Sequence, residues 1–363
     1  MRELHDLAAV QAQAPDLAGF VVQNVDLSDA SLTWSEVDVR GTIFLGCTFV
    51  DAALAGALVE RGALVFPRFP ELPYEPYRSV LYTPGELHGC TDDGRTVDLA
   101  IYEHFIASKA GGVNIAEALA QRIHDHAIDD ALEECIAGER VVGVMGGHLT
   151  PRDNPYYAKV ATLTRELTRS GYFVASGGGP GIMEAANLGA YLAKHDDEAL
   201  DEALAILKTA PRYTHRRHDE AAQEVVERFP VGAASIAIPT WFYGHEPSNL
   251  FGRYVAKYFS NSIREDGLLA ISTHGVIFAP GSAGTVQEIF MDAAQNHYRT
   301  YDAISPMVFL GVEHYGPRTG VWSTVQRLAC GQEYGRFLHL TDDPYDAFGF
   351  IKRTPPQEAS VPR

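Results

Sequence analysis

From Arg140 onward, short apolar runs alternate with longer stretches whose hydrophobic positions recur at helical spacing. "RVVGVM" (140–145) reads as a buried strand, and Asn154-Pro155 supplies an N-cap and a first-turn proline for the helix "YYAKVATLTRELTRS". "YFVAS" then predicts a second strand, "IMEAANLGAYLAK" a helix and "ASIAIPT" a third strand. "NLFGRYVAKYFSNSIREDGLLAIS" reads as helical, "GVIFAP" as a strand and "TVQEIFMDAAQNHY" as its helix. "SPMVFLG" and "FLHL" add two strands, with the helical "TGVWSTVQRLA" between them. Residues 195–230 read as a charged helical insertion.

Strands that alternate with helices predict an α/β fold, a doubly wound, Rossmann-like parallel sheet with helices on both faces. Right-handed crossovers then bring every strand C-terminus to one edge, where ligands bind in such sheets.

The chain before Arg140 has a different pattern. "GFVVQNVDL", "DVRGTIFLGCTFV" and "GALVFPRF" alternate with period two in places and predict a small β-containing or α+β region. "VDLSDASL" and "VDVRGTIF" suggest a five-residue, pentapeptide-like period, carried by two imperfect copies. Prolines crowd residues 66–96, which read as a covering segment or linker. The expected organisation is an N-terminal region with its Pro-rich linker over 1–95 and a helical connector over 96–138, broken at Gly111-Gly112. The Rossmann-like domain follows over 139–350, and a flexible tail over 351–363.

Composition narrows the class. The chain has 363 residues, 46% of them hydrophobic and 21% charged, with a formal charge of −18. That balance opposes general binding to a nucleic-acid backbone, which needs clustered Lys and Arg. Four cysteines, Cys47, Cys90, Cys135 and Cys330, form no Cys-x-x-Cys pair, so neither a zinc site nor a dense disulfide framework is expected. The opening segment has acids and no long apolar core, and no later run reaches a membrane-spanning length. A cytoplasmic protein with no membrane or nucleic-acid partner is the expectation.

Three loops fall on the predicted edge. Gly146-Gly147-His148 follows the first strand, and Gly177-Gly178-Gly179-Pro180-Gly181 follows the second. Four glycines in five positions are costly in backbone entropy and suit close approach of a ligand to backbone N–H groups. The spacing does not fit the dinucleotide fingerprint, and no Gly-x-x-x-x-Gly-Lys-Ser/Thr loop exists. The third loop is "APGSAGTVQE" (279–288). A serine elbow needs glycine two before the serine, where Pro280 stands. Thr285 to Glu288 also has capping-box spacing, a purely structural reading. An anion cradle is the functional one: Gly281, Ser282, Ala283, Gly284 and Thr285 present donors at a helix N-terminus.

Together, "VVGVMGGHLTPRDNPYYAKVATLTRELTRSGYFVASGGGPGIMEAANLGAY" and "GVIFAPGSAGTVQEIF" resemble the Lonely Guy (LOG) family, long mislabelled as lysine decarboxylases. The family marker Pro-Gly-Gly-x-Gly-Thr-x-x-Glu is matched by Pro280, Gly281, Gly284, Thr285 and Glu288. Its glycine loop is matched by Gly177, Gly178, Gly179, Gly181 and Met183. The likeness spans about residues 140–312 and looks closer to the larger bacterial nucleotide nucleosidases than to the short plant-type enzymes. It implies hydrolysis of the N-glycosidic bond of nucleoside 5'-monophosphates to free base and ribose 5-phosphate, with no cofactor and no metal. Nothing marks a lysine for pyridoxal phosphate, so a decarboxylase is not supported.

The resemblance further implies phosphate and ribose contacts from Gly146, Gly147, the Gly177 loop and the 281–285 cradle. It implies Glu288 and an arginine as the catalytic pair. Arg264 is the nearest match, displaced by about one position, with Arg253 as fallback. Ser282 stands where the family has glycine, adding a hydroxyl and crowding the phosphate. An Arg264–Glu288 ion pair would keep the carboxylate ionised at neutral pH. Base contacts are expected from Met183, Glu184, Trp241, Tyr243 and Asn249, and a homodimer or higher homo-oligomer follows from the resemblance. The alternative is a non-catalytic nucleotide or cofactor carrier or sensor of the same fold. A DNA-binding relative is opposed by the acidic charge.

Overall fold

Val141–Met145, Phe173–Ser176, Ile236–Ala237 and Val276–Phe278 form adjacent strands of one sheet because each is an almost wholly buried apolar run. The computed structural model describes residues 2–358 apart from Ala30, Pro70, Gly111, Val113 and 245–247. It folds as two compact units, one of the chain up to Leu81 with Glu103–Glu134, the other of Tyr82–Tyr102 with the chain from Cys135 onward.

In the first unit, β1 (Arg2–Leu4), β2 (Phe20–Gln23), β3 (Ile43–Leu45) and β4 (Leu64–Phe66) lie side by side in chain order, all parallel. Consecutive parallel strands in chain order make a short solenoid. Each coil takes about 22 residues, since Asp16 bridges to Asp38, Val21 pairs with Ile43 and Asp26 bridges to Thr48. Asp16 and Asp38 make the same turn, each Oδ1 accepting from the backbone N–H two residues on. Leu17, Val22 and Val25 of one coil stack on Val39, Phe44 and Cys47 of the next in one core. Within each coil the core residues recur every five positions, Leu17, Val22 and Leu27 in one and Val39, Phe44 and Phe49 in the next, so the pentapeptide-like spacing is present inside the longer period.

In the second unit, β5 (Val141–Met145), β6 (Phe173–Ser176), β7 (Ile236–Ala237), β8 (Tyr254–Val255), β9 (Val276–Phe278), β11 (Met307–Leu310) and β12 (Leu338–Thr341) form a seven-stranded sheet in the order β12-β11-β9-β5-β6-β7-β8. Every neighbouring pair is parallel. β10 (Ala303–Ile304) and β13 (Gln357–Glu358) make a separate antiparallel ribbon. Helices Pro155–Arg169, Ile182–Tyr191 and Pro344–Arg353 pack together, as do Asn261–Ile271, Ala283–Tyr298 and Val321–Ala329, giving two helical layers with the sheet between them. Asn154 caps its helix as expected, its side chain accepting from the Tyr156 N–H ahead of Pro155.

One expectation fails. Residues 249–260 are not helical: β8 occupies Tyr254–Val255 and the helix begins only at Asn261. The run is buried on successive residues rather than on one helical stripe, and its Val255 also pairs with Tyr82 on the far side. Lys257, nearly fully buried, is neutralised there by Asp98 at 2.7 Å. The insertion forms two helices, Asp197–Lys208 and His218–Arg228, and the connector reads as helices Val97–Ala110 and Ile115–Ile136. Gly111, the expected break, and residues 359–363 lie outside the described residues, whereas 351–358 of the expected tail are structured: Ile351 is buried in the helix Pro344–Arg353 and Gln357–Glu358 form β13.

Candidate functional site

The chain runs outward from β5 through β6, β7 and β8, then crosses back to β9, β11 and β12 on the other side of β5. This reversal leaves a crevice beyond the C-terminal ends of β5 and β9, where open α/β sheets bind ligands. A cleft of about 510 Å³ lies there, formed by Gly146, Gly147 and His148 after β5, Gly177 after β6, Met183, Tyr243, Arg264 and Glu265, and residues of the helix following β9 from Ser282 to Glu288.

The loops are stitched together before any ligand is considered. The Gly147 N–H donates to the Pro280 carbonyl at 3.0 Å, and the Ile182 N–H to the Gly147 carbonyl at 3.2 Å. Gly181, at φ +71°, sits so close that a Cβ would meet the Gly147 oxygen at 2.5 Å. Tyr315 donates to the Ala279 carbonyl from below at 2.6 Å. Part of the glycine content therefore serves loop-on-loop packing.

The helix Ala283–Tyr298 has Ser282 as its N-cap, with no side-chain cap bond. The capping-box reading of Thr285 and Glu288 is thereby corrected: both lie inside the helix, and neither closes its start. The N–H groups of Ala283, Gly284 and Thr285 have no intrahelical acceptor and face the cleft's end with the positive pole of the helix. Gly281 is needed for packing, because a Cβ would meet Thr285 Oγ1 at 2.1 Å. At Gly284 a Cβ would meet no atom within 4 Å, so its missing side chain leaves room rather than relieving a clash. Ser282 is exposed with φ −109°, a backbone any residue adopts, so it stands at the cradle's mouth without strain.

Gly284→Asp is expected to leave the fold intact, since an acid in a first helical turn is favourable. It should weaken binding of a phosphate-bearing nucleotide at least about tenfold by like-charge repulsion. Calorimetric titration beside a melting curve checks both; undiminished affinity would remove the cradle from the site.

Glu288 lies one turn beyond Gly284 on the same helical face. Its Oε1 is 3.7 Å from the Arg264 guanidinium, and both side chains are largely buried. Arg264 Nε is buried with no hydrogen-bond partner among the described residues. The expectation of a carboxylate held ionised by this pair is corrected: burial outweighs the Arg264 charge and, with Glu265 adding repulsion, pushes Glu288 up to about 7. Arg253 is exposed and lies over the Tyr254 ring, outside the cleft, so Arg264 is the site arginine.

Sequence reasoning missed two cleft residues, Glu265 and Gln287. Glu265 accepts from Gln287 Nε2 at 2.9 Å, and the Tyr243 hydroxyl meets the same carboxylate. Their adjacency to Arg264 and Glu288 in the chain was the available signal.

The other expected residues divide. Met183 and Tyr243 line the cleft, and of Gly177, Gly178 and Gly179 only the first does. Gly178 is turned against β7, where a Cβ would strike Pro239 and Ala237. Asn249 is corrected from base contact to loop support: its amide donates to the Gly178 carbonyl and to Asn187, and its Oδ1 accepts from the Phe251 and Gly252 N–H groups. Trp241 is fully buried, donates to Asp98 and packs on Phe259, so it presents no face to a base. Glu184 is fully committed to Arg152, with Tyr157 donating to it at 2.8 Å. Residues 245–247, between Tyr243 and Asn249, lie outside the described residues. No group of metal-ligating side chains occurs, and no helix is long and apolar enough to cross a membrane, among the described residues.

The parallel sheet, its two helical layers and the cleft at the order reversal define a doubly wound α/β protein with a switch-point site. No family model and no curated protein matches the chain. Among solved structures, it is similar to the molybdenum cofactor binding protein from the phototrophic bacterium Rippkaea orientalis, at 16% identity over 60% of this chain and 98% of that one, with a TM-score of 0.37. It is also similar to the Moco carrier protein from Chlamydomonas reinhardtii, at 16% identity over 59% and 96%, with a TM-score of 0.36. At that level of likeness the class rests on the sheet itself.

Proposed function

We propose that the cleft binds a nucleoside 5'-monophosphate and hydrolyses its N-glycosidic bond, releasing the base and ribose 5-phosphate. One observation carries the reading: an uncapped helix N-terminus and a buried carboxyl lie one turn, roughly 5 Å, apart on the same helix face. That is comparable with the span from the phosphate to C1' of a ribose 5-phosphate. The phosphate would take the N–H groups of Ala283 to Thr285, which sets C1' beside Glu288.

In the step itself, the Glu288 carboxylate removes a proton from water as the water oxygen bonds to C1'. The C1'–N bond breaks with its electron pair going to the base nitrogen, which takes a proton from solvent. Positive charge builds on the ribose ring, and a carboxylate alongside stabilises it. Binding energy of the remote phosphate positions the ribose, so nucleosides should be poor substrates. Arg264, with its free Nε, holds Glu288 or an oxygen of the ligand.

The alternative is a carrier that holds such a ligand without chemistry. The two similar structures are named as cofactor binding and carrier proteins, and TM-scores below 0.4 do not decide between the readings. What favours hydrolysis is Glu288 itself, because a carrier of anions gains nothing from a buried carboxyl at this point.

The test is base release from a panel of nucleoside monophosphates followed against pH. The active form is the carboxylate, so with Glu288 at about 7 the rate should fall about tenfold per unit below that pH and level off above it. Saturable nucleotide binding with no base release at any pH would establish the carrier instead.

A further inference from the structure

A second cavity of about 210 Å³ lies beside the cleft, and His148 lines both. Its walls come from Leu149, Thr150 and Arg152 after β5, Pro180 and Gly181, and the insertion segment Pro211 to Thr214 with His218. The segment 211–218, "PRYTHRRH", carries three arginines and no acid in a chain of formal charge −18. Residues 212–217 are exposed, as a solvated basic loop would be, and His218 anchors their far end. His218 is buried at the start of its helix, and its carbonyl accepts from Arg152 Nη1 at 2.9 Å.

The two arginines of the cavity differ in a way that matters. Arg152 is almost fully buried and spent: Nε and Nη2 hold Glu184, and Nη1 reaches the Ala210 and His218 carbonyls. It forms a rigid floor with no net charge of its own. The Arg212 side chain, exposed on the rim, forms no ion pair or hydrogen bond among the described residues and supplies the uncompensated positive charge. Thr150 and Thr214 add hydroxyls on opposite walls. The nearby acid, Asp219, is engaged by His218 at 3.3 Å. A rim guanidinium and two hydroxyls over a fixed floor form a set of donors suited to a tetrahedral oxyanion.

We propose that this cavity is a second oxyanion subsite, taking a phosphoryl group independently of the one in the Gly281–Thr285 cradle. It is a property of the insertion and does not depend on whether the cleft hydrolyses its ligand. The phosphoryl group comes either from the far end of a ligand seated in the cleft, passing His148, or from a separate phosphate.

The experiment titrates inorganic phosphate into the full-length protein at low salt by calorimetry. Two phosphates per chain are expected. Arg212→Glu should weaken one site at least tenfold and leave the other unchanged, and Gly284→Asp should do the converse. Arg212 has no partner to lose, so melting temperature should not move in the first variant. Comparing a nucleoside 3',5'-bisphosphate with the 5'-monophosphate then separates the sources. A gain of tenfold or more for the bisphosphate that Arg212→Glu abolishes identifies one ligand spanning both sites, and equal affinities with two phosphates bound identify a separate phosphate. Phosphate binding that Arg212→Glu leaves undiminished, whether one or two per chain, overturns the subsite, whereas a single phosphate lost with Arg212→Glu removes the cradle instead. Absence of base release in the hydrolysis assay leaves these outcomes untouched.

Discussion

Glu288→Gln is expected to lower base release by roughly a hundred- to ten-thousand-fold, the range that a general base contributes, while nucleotide affinity changes little. The helix start does not depend on Glu288, because Ser282 is its N-cap and the carboxyl lies well inside the first turns. The same variant carries a second readout. The folded-state pKa of Glu288 stands at about 7 against an ordinary 4.5, so the folded state holds its proton more tightly over that interval. The burial penalty is thus absent below the lower value, grows as pH rises, and is complete above the upper one. Gln removes it. The variant should be more stable than the wild type at about pH 8 and no more stable at about pH 4, as denaturant titrations would measure. Unchanged activity in Glu288→Gln would mean that the carboxyl takes no part in chemistry.

The second large effect is structural. Arg152→Met should destabilise the α/β unit by about 3–5 kcal/mol, because it leaves Glu184 buried, charged and without its cation. Glu184 is otherwise held below the usual carboxylate range: its burial alone would raise it, and the Arg152 bonds and charge overcome that. For a unit of this size the melting temperature should fall by something on the order of 10 °C. Adding Glu184→Leu should recover much of the loss, since a buried pair replaced by apolar groups is often near neutral. A loss under about 1 kcal/mol in the single variant would show that the pair is solvated in solution. Arg152 also bonds the Ala210 and His218 carbonyls, so the insertion's attachment to the sheet should loosen first.

These two residues mark the divide between what the sequence discloses and what it does not. Glu288 was legible because Pro280, Gly281, Gly284 and Thr285 precede it at fixed spacing, within one strand, loop and helix. The same locality made β5, β6, β7, β9 and β11 legible as buried apolar runs between helices. Arg152 and Glu184 were opaque as a pair, being 32 residues apart in the chain and joined only by folding. With no partner visible in the sequence, Glu184 reads there as a base contact. Trp241 and Asn249 were misread for the same reason: Asp98 stands 143 residues from Trp241, and the Gly178 carbonyl 71 from Asn249. The run before Asn261 failed differently. Its apolar residues suit either period, and only pairing with β7 and with Tyr82 selects a strand. The period of the N-terminal unit was hidden because its copies share a turn and a burial pattern more than they share residues.

The central claim is that the switch-point cleft seats a phosphate at the Ala283 to Thr285 N–H groups and a ribose at Glu288. The most direct measurement is a crystal structure of the Glu288→Gln variant with a nucleoside 5'-monophosphate bound. The expected result places the phosphate at that helix N-terminus, C1' within reach of the residue 288 side chain and Arg264 Nε on an oxygen of the ligand. A phosphate bound elsewhere, or a ribose turned away from residue 288, would contradict the account.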